Sequence, residues 1–126
     1  MWHLRRLLLP ALMLASVGAE ASSVECTVVV RSEPHSIRIE PADTPYEATK
    51  IDFDNGFRFA GQLLKEPLKL KTYTYFDAKD RYVLIHVNTQ TLNDQACGKT
   101  LGENTIYSPR LENELSYHCK LLCDKP

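Results

Sequence analysis

Several features are scarce in this chain of 126 residues, and each scarcity narrows what the protein can be. No apolar run approaches the ~20 residues a membrane-spanning helix needs, because the stretch from Leu7 to Val17 is interrupted by Pro10 and Ser16. Neither sign of charge dominates, with 15 basic and 16 acidic residues, so nothing draws the chain to nucleic acid or to an anionic membrane. No G-x-S-x-G elbow surrounds a serine such as Ser108, and nucleophilic catalysis has no evident candidate. No second closely spaced cysteine pair complements Cys119 and Cys123, which disfavours a zinc site built with His86 or His118. Repeats, low-complexity tracts and linkers are also missing. What is left is one small domain with no expected cofactor and no readable catalytic centre.

The beginning of the chain supplies an address. Arg5 and Arg6 precede the apolar stretch, which at roughly 10–12 residues would cross only about half of the ~30 Å hydrocarbon layer as a helix. Ala19 and Ala21 follow as an A-x-A site, so residues 1–21 read as a signal peptide cleaved after Ala21. Plain leucines after the arginines favour the general secretory route over the twin-arginine one. Glu25 stands immediately before Cys26, where a lipobox requires a small residue, so no lipid anchor is expected. The predicted product is a single soluble domain over residues 22–126, periplasmic or secreted, large enough for one modest core.

In that compartment four cysteines read as two disulfides. Three pairings are possible. On one extended strand Cys119 and Cys123 would lie about 13 Å apart, beyond the ~7 Å Cα limit for a bridge, so joining them requires a helix or turn. The favoured pairing is Cys26 with Cys119 and Cys97 with Cys123.

Period-two alternation dominates the rest. Val24, Cys26, Val28 and Val30 mark a first strand. Ser32 to Pro34 read as a break, and Ser36 to Glu40 as a second strand ended by Pro41 and Pro45. Asp54, Asn55 and Gly56 separate Ile51 and Phe53 from Phe57 and Phe59, a strong hairpin signal. After Lys65, Glu66 and Pro67, Leu68, Leu70, Thr72 and Thr74 alternate with Lys69, Lys71, Tyr73 and Tyr75. Across a turn at Asp77 to Asp80, the strand from Arg81 to Thr89 sets Val83, Ile85 and Val87 against Tyr82, Leu84, His86 and Asn88. Gln90 to Gly102 read as a long loop pinned by Cys97, and Glu103 to Tyr107 as a short strand. Leu111, Leu115, Tyr117, Cys119 and Leu121 share a strand phase, although Leu111, Leu115, Cys119 and Leu122 would also fit a helix; the strand is favoured because it sets Cys119 near Cys26.

The predicted fold is therefore all-β: a single antiparallel barrel or sandwich of about seven or eight short strands, stapled by two disulfides. It is similar in architecture to small envelope barrels such as bacterial lysozyme inhibitors, but their recognition motifs are absent and the likeness is one of fold alone.

Candidate chemistry is sparse. Asp52 to Gly56 superficially suggests a calcium loop, yet glycine comes fifth instead of sixth and Leu63 occupies the twelfth position, so a hairpin turn is preferred. Asp77 and Asp80 flank a turn, where carboxylates cap local backbone. His35, His86 and His118 sit on different elements, His86 being predicted to share a face with Tyr82 and Leu84. The remaining feature is a basic and aromatic face of Lys69, Lys71, Tyr73 and Tyr75, with Arg58 and Lys65 near it. Such a face can stack sugars or bases and hold anionic groups; its lysines can equally guard a strand edge. The expected function is a non-enzymatic binding or inhibitory module whose partner is an envelope or extracellular protein or glycan. The alternatives are a small-ligand carrier with a barrel cavity, or an envelope-polymer-modifying enzyme using Tyr82, His86 and a carboxylate.

Overall fold

The computed structural model describes residues 20–109 and 112–124. The expected signal peptide falls almost entirely outside the described residues, as does Leu111. Eight strands form: β1 (Glu20–Val30), β2 (Glu33–Ile39), β3 (Thr49–Asp52), β4 (Phe57–Leu64), β5 (Lys69–Asp77), β6 (Tyr82–Thr91), β7 (Thr100–Tyr107) and β8 (Glu114–Asp124), with a single 3-10 turn at Asp94–Ala96.

They make two antiparallel sheets, one ordered β2-β1-β8-β7 and the other a meander ordered β3-β4-β5-β6. The sheets do not close on one another, so of the two expected architectures the molecule is a sandwich and not a barrel. Alternation explains the layers. Val24, Cys26, Val28 and Val30 point inward from β1, and Leu115, Tyr117, Cys119 and Leu121 from β8. They meet Phe57, Phe59, Leu63 and Leu70 of the facing sheet, all buried. Each such apolar side chain removed from water contributes about 1.5–3 kcal/mol. Thr72 and Thr74 are buried too, and Thr72 is satisfied across the core by the Tyr117 hydroxyl at 2.6 Å. Burial raises the pKa of that tyrosine, which keeps its proton in place for the bond.

Both disulfides pair as expected. Cys26 and Cys119 face each other directly across β1 and β8, with Cα atoms 4.0 Å apart. Cys97, just after the 3-10 turn, joins Cys123 near the end of β8. The last segment is a strand and not a helix: its backbone pairs antiparallel with β1 on one side and β7 on the other, and Leu115, Tyr117, Cys119 and Leu121 bury between the sheets.

Several boundaries differ from expectation. The break at Ser32–Pro34 is only a two-residue turn, Arg31 and Ser32, both at positive φ (53° and 63°). Pro34 belongs to β2, opposite Val29, and a missing N–H is tolerated there because β2 is an edge strand. The long loop from Gln90 to Gly102 is shorter, since β6 runs on to Thr91 and β7 begins at Thr100. Its interior is closed by Asn93, whose side chain accepts from the Gln95 N–H. At Gly56 (φ 97°) the Phe53–Gly56 turn adopts a backbone that glycine alone takes without strain.

Gly61 answers to a different constraint. A Cβ there would stand 2.1 Å from Ile39 Cδ1, and Ile39 is fully buried, so this strand position is glycine to let the first sheet's Ile39 seat on β4. Gly61→Ala is expected to cost about 1–3 kcal/mol from overpacking, and Ile39→Val in the same chain should return part of the loss in a urea-denaturation double-mutant cycle. Replacing Cys26 and Cys119 together by alanine should lower unfolding free energy by about 4–5 kcal/mol, against about 3–4 for Cys97 and Cys123, because the first bridge closes the longer loop; equal losses in urea melts would contradict that ordering.

Candidate functional site

The outer face of the meander sheet gathers the residues the sequence singled out. On β4 and β5 the register sets Arg58 opposite Tyr75, Ala60 opposite Tyr73, Gln62 opposite Lys71 and Leu64 opposite Lys69. Because side chains directly opposite share a face, Arg58, Lys69, Lys71, Tyr73 and Tyr75 form one surface. Lys65 lies off it, in the turn after β4 beside Lys69.

The third strand completes the surface differently from expectation. A bulge between Thr74 and Tyr75 makes the register skip Ile85. Before the skip Tyr82 pairs with Asp77 and Leu84 with Tyr75, on the outer face; after it His86 pairs with Thr74, on the inner face. The predicted grouping of His86 with Tyr82 and Leu84 is therefore wrong: one extra residue reverses the phase. Val87 is carried outward by the same shift, opposite Tyr73.

The resulting platform has an aromatic and aliphatic centre. The Tyr73 and Tyr75 rings lie near-parallel, 26° apart in plane and 6.4 Å between centroids. Leu84 and Val87 beside them are 46% and 47% exposed. At one side the Arg58 guanidinium carbon sits 3.8 Å over the Tyr82 ring, while its Nε and Nη2 donate to the two Asp52 carboxylate oxygens at 2.5 and 2.9 Å. Arg58 is thus committed to Asp52 and Tyr82, and its role is to hold the platform's corner. Among the described residues the ion pairs are Arg31–Asp54, Arg38–Glu40 and Arg58–Asp52, so Lys69 and Lys71 keep their charges for solvent or a ligand.

The opposite margin is walled by the connection between β2 and β3. Gln62, almost fully buried, donates from Nε2 to the carbonyls of Pro45 and Glu47 at 2.8 and 2.7 Å. Its Oε1 accepts from the Tyr73 hydroxyl at 2.7 Å. Burial, and secondarily Tyr75, raises the Tyr73 pKa, so that donor keeps its proton. Between the two anchored carbonyls Tyr46 stands out, 93% exposed. Sequence reasoning missed Tyr46, Gln62, Asp52 and the outward role of Tyr82, Leu84 and Val87. Only the density of aromatics hinted at them; the rest depends on loop placement and the bulge.

Elsewhere the chemistry is dispersed. His35 packs edge-on against Phe53, His86 lies inward on β6, and His118 pairs with Thr27 and Glu103 on β8. All four cysteines are bridged. A cleft of about 400 Å³ opens beside the β1–β2 turn, lined by Arg31, Glu33, His35, Phe53 and Asp54; it is polar-rimmed and lies outside the apolar interior. No protein-family model matches this chain, and no curated protein or solved structure is significantly similar to it.

The bidentate Arg58 contact, opposed by partial burial, lowers the Asp52 pKa below the usual carboxylate range. Such a group stabilises the fold above its unfolded pKa of ~3.9 and loses that contribution as pH falls through the lowered folded value; the effect is small because both partners meet solvent. An NMR titration of the Arg58→Gln variant should show the Asp52 midpoint returning upward, and an unmoved midpoint would separate Asp52 from Arg58.

Proposed function

We propose that the protein is an exported, non-enzymatic binding module, which takes an envelope or extracellular protein or glycan on the outer face of its meander sheet. The observation that carries this reading is the platform itself: exposed Leu84 and Val87 beside Tyr73 and Tyr75, flanked by two uncommitted lysines on a rigid sheet. Contiguous apolar surface of this kind, rimmed by polar groups, is a common mark of an interaction site, and aromatic side chains supply most of the anchoring energy in such contacts.

Export is supported by the two disulfides, which persist in oxidising compartments. Among the described residues no helix is long and apolar enough to cross a membrane. Cleavage after Ala21 would trim only the first two residues of β1 and leave every pair from Ser23 to Val30 in place.

The other two readings have less support. A carrier needs an apolar cavity of about 300 Å³ or more, whereas the space between the sheets is filled by Phe57, Phe59, Leu63, Tyr117 and their neighbours. An enzyme built on Tyr82 with His86 would need both on one face, and the bulge divides them.

The test is affinity capture from envelope extracts and culture medium with the immobilised, oxidised domain. Joint charge reversal, Lys69→Glu with Lys71→Glu, and separately Tyr75→Ser, should each reduce the recovered partner by about tenfold or more. Recovery unaffected by both variants would remove this face as the binding surface.

A further inference from the structure

We infer that β6 is an assembly edge, at which a second copy of this chain adds its own β6 antiparallel across a two-fold axis at Thr89. An open sandwich has four free strand edges, each a row of unpaired N–H and C=O groups, and such edges are normally guarded by charge, proline, a bulge or brevity. Three of the four are guarded here. β2 contains Glu33, Pro34 and Arg38; β3 is four residues long and holds Lys50 and Asp52; β7 is interrupted by a register shift at Gly102 and carries Glu103.

β6 is the exception. It runs for ten residues without Asp, Glu, Lys, Arg or Pro, it ends its sheet, and it exposes Val83, Leu84 and Val87 at 38, 46 and 47%. Its one guard is the bulge at Ile85, which leaves His86 to Thr91 as regular strand.

The ladder locates the free groups. Leu92 donates its N–H to Leu68, and in an antiparallel pair every second residue bonds to the same neighbour. Gln90 and Asn88 therefore bond inward, opposite Leu70 and Thr72. Val87, Thr89 and Thr91 turn their N–H and C=O groups to the open edge. With the axis at Thr89, that residue meets its counterpart, and Val87 meets Thr91 of the second copy. This forms three reciprocal hydrogen-bonded pairs between β-branched residues, the side chains best suited to a pleated face.

Charge selects a second copy as the occupant. A strand without carboxylates, lysines or arginines, whose one imidazole, His86, lies on the inner face, meets itself with no like charges opposed, whereas it offers a charged foreign strand no counter-ion. The self-paired arrangement also covers Val87 and joins the two platforms into one eight-stranded face. One strand edge buries less than a standard interface, so the association is a weak one.

Sedimentation equilibrium of the purified, oxidised protein tests this. The weight-average mass should rise from monomer towards twice that value between about 1 μM and about 1 mM. Thr89→Lys, at an exposed position, sets two ammonium groups face to face on the axis, and Thr89→Pro removes a donor that β5 does not use. Each should weaken association by about tenfold or more, with the far-UV circular dichroism of the monomer retained in Thr89→Lys. Lys69→Glu with Lys71→Glu, which tests the platform, should leave the mass isotherm unchanged, so the two readings fail separately. A wild type that stays monomeric to about 1 mM, one that instead binds only a foreign strand through β6, or a Thr89→Lys variant that assembles like the wild type would each overturn the assignment.

Discussion

The pairing of the first strand with the last is the constraint on which the rest of the structure depends. β1 and β8 occupy the middle of their sheet, so neither the β1–β2 hairpin nor the β7–β8 hairpin has a complete apolar partner until the two meet. That meeting requires closure of nearly the whole chain, an entropic cost that grows only slowly with length but must be met before the contacts form. The Cys26–Cys119 bond spans 93 residues at this junction and sits fully buried among the side chains the junction brings together. Once formed, it removes from the unfolded ensemble the states in which the two hairpins are apart.

The two sheets divide the work unequally. Both disulfides end on β8, so the covalent reinforcement belongs to one sheet. The other is held by hairpin continuity and by the core it shares with the first, through contacts such as Phe59 with Tyr117 at 4.8 Å and Ile39 seated against Gly61. Its outer face is thereby left to be shaped by polar devices alone. The Arg58 contacts with Asp52 and Tyr82 fix one margin, and Gln62 fixes the other by holding a loop it does not belong to. A binding surface framed in this way keeps its shape without a core of its own.

How much of this the amino-acid order discloses follows from the range of the interaction involved. Strands whose inward residues are apolar announce themselves through period-two alternation, and β1, β4, β5 and the meeting of Cys26 with Cys119 are legible for that reason; Cys97, which lies outside every strand, is assigned to Cys123 only as the remaining partner. Leu70, Thr72 and Thr74 were placed on one phase correctly, although two of them are polar, because the lysines and tyrosines between them were so plainly of another kind. Pro34 and His86 lie where local sequence does not point. The proline reads as a break because nothing local says that its strand has only one neighbour. The histidine reads as sharing a face with Tyr82 and Leu84 because nothing local marks a single skipped residue. Lys69, Lys71, Tyr73, Tyr75 and Arg58 were brought together as expected, yet Gln62 and Tyr46, which bound that surface, owe their positions to a loop crossing from the other sheet.

The bulge at Ile85 also bears on how such a protein can change over generations. Elsewhere in a strand, losing or gaining one codon turns every following side chain to the opposite side and exposes the core. At a site where the ladder already skips a residue, the same event can be absorbed by closing or moving the skip. Losing Ile85 closes the skip, leaves Leu84 on the platform and His86 inward, and keeps the remaining pairs of β5 and β6 in register. The frame absorbs a deletion here, where one elsewhere in β6 would reverse every following side chain.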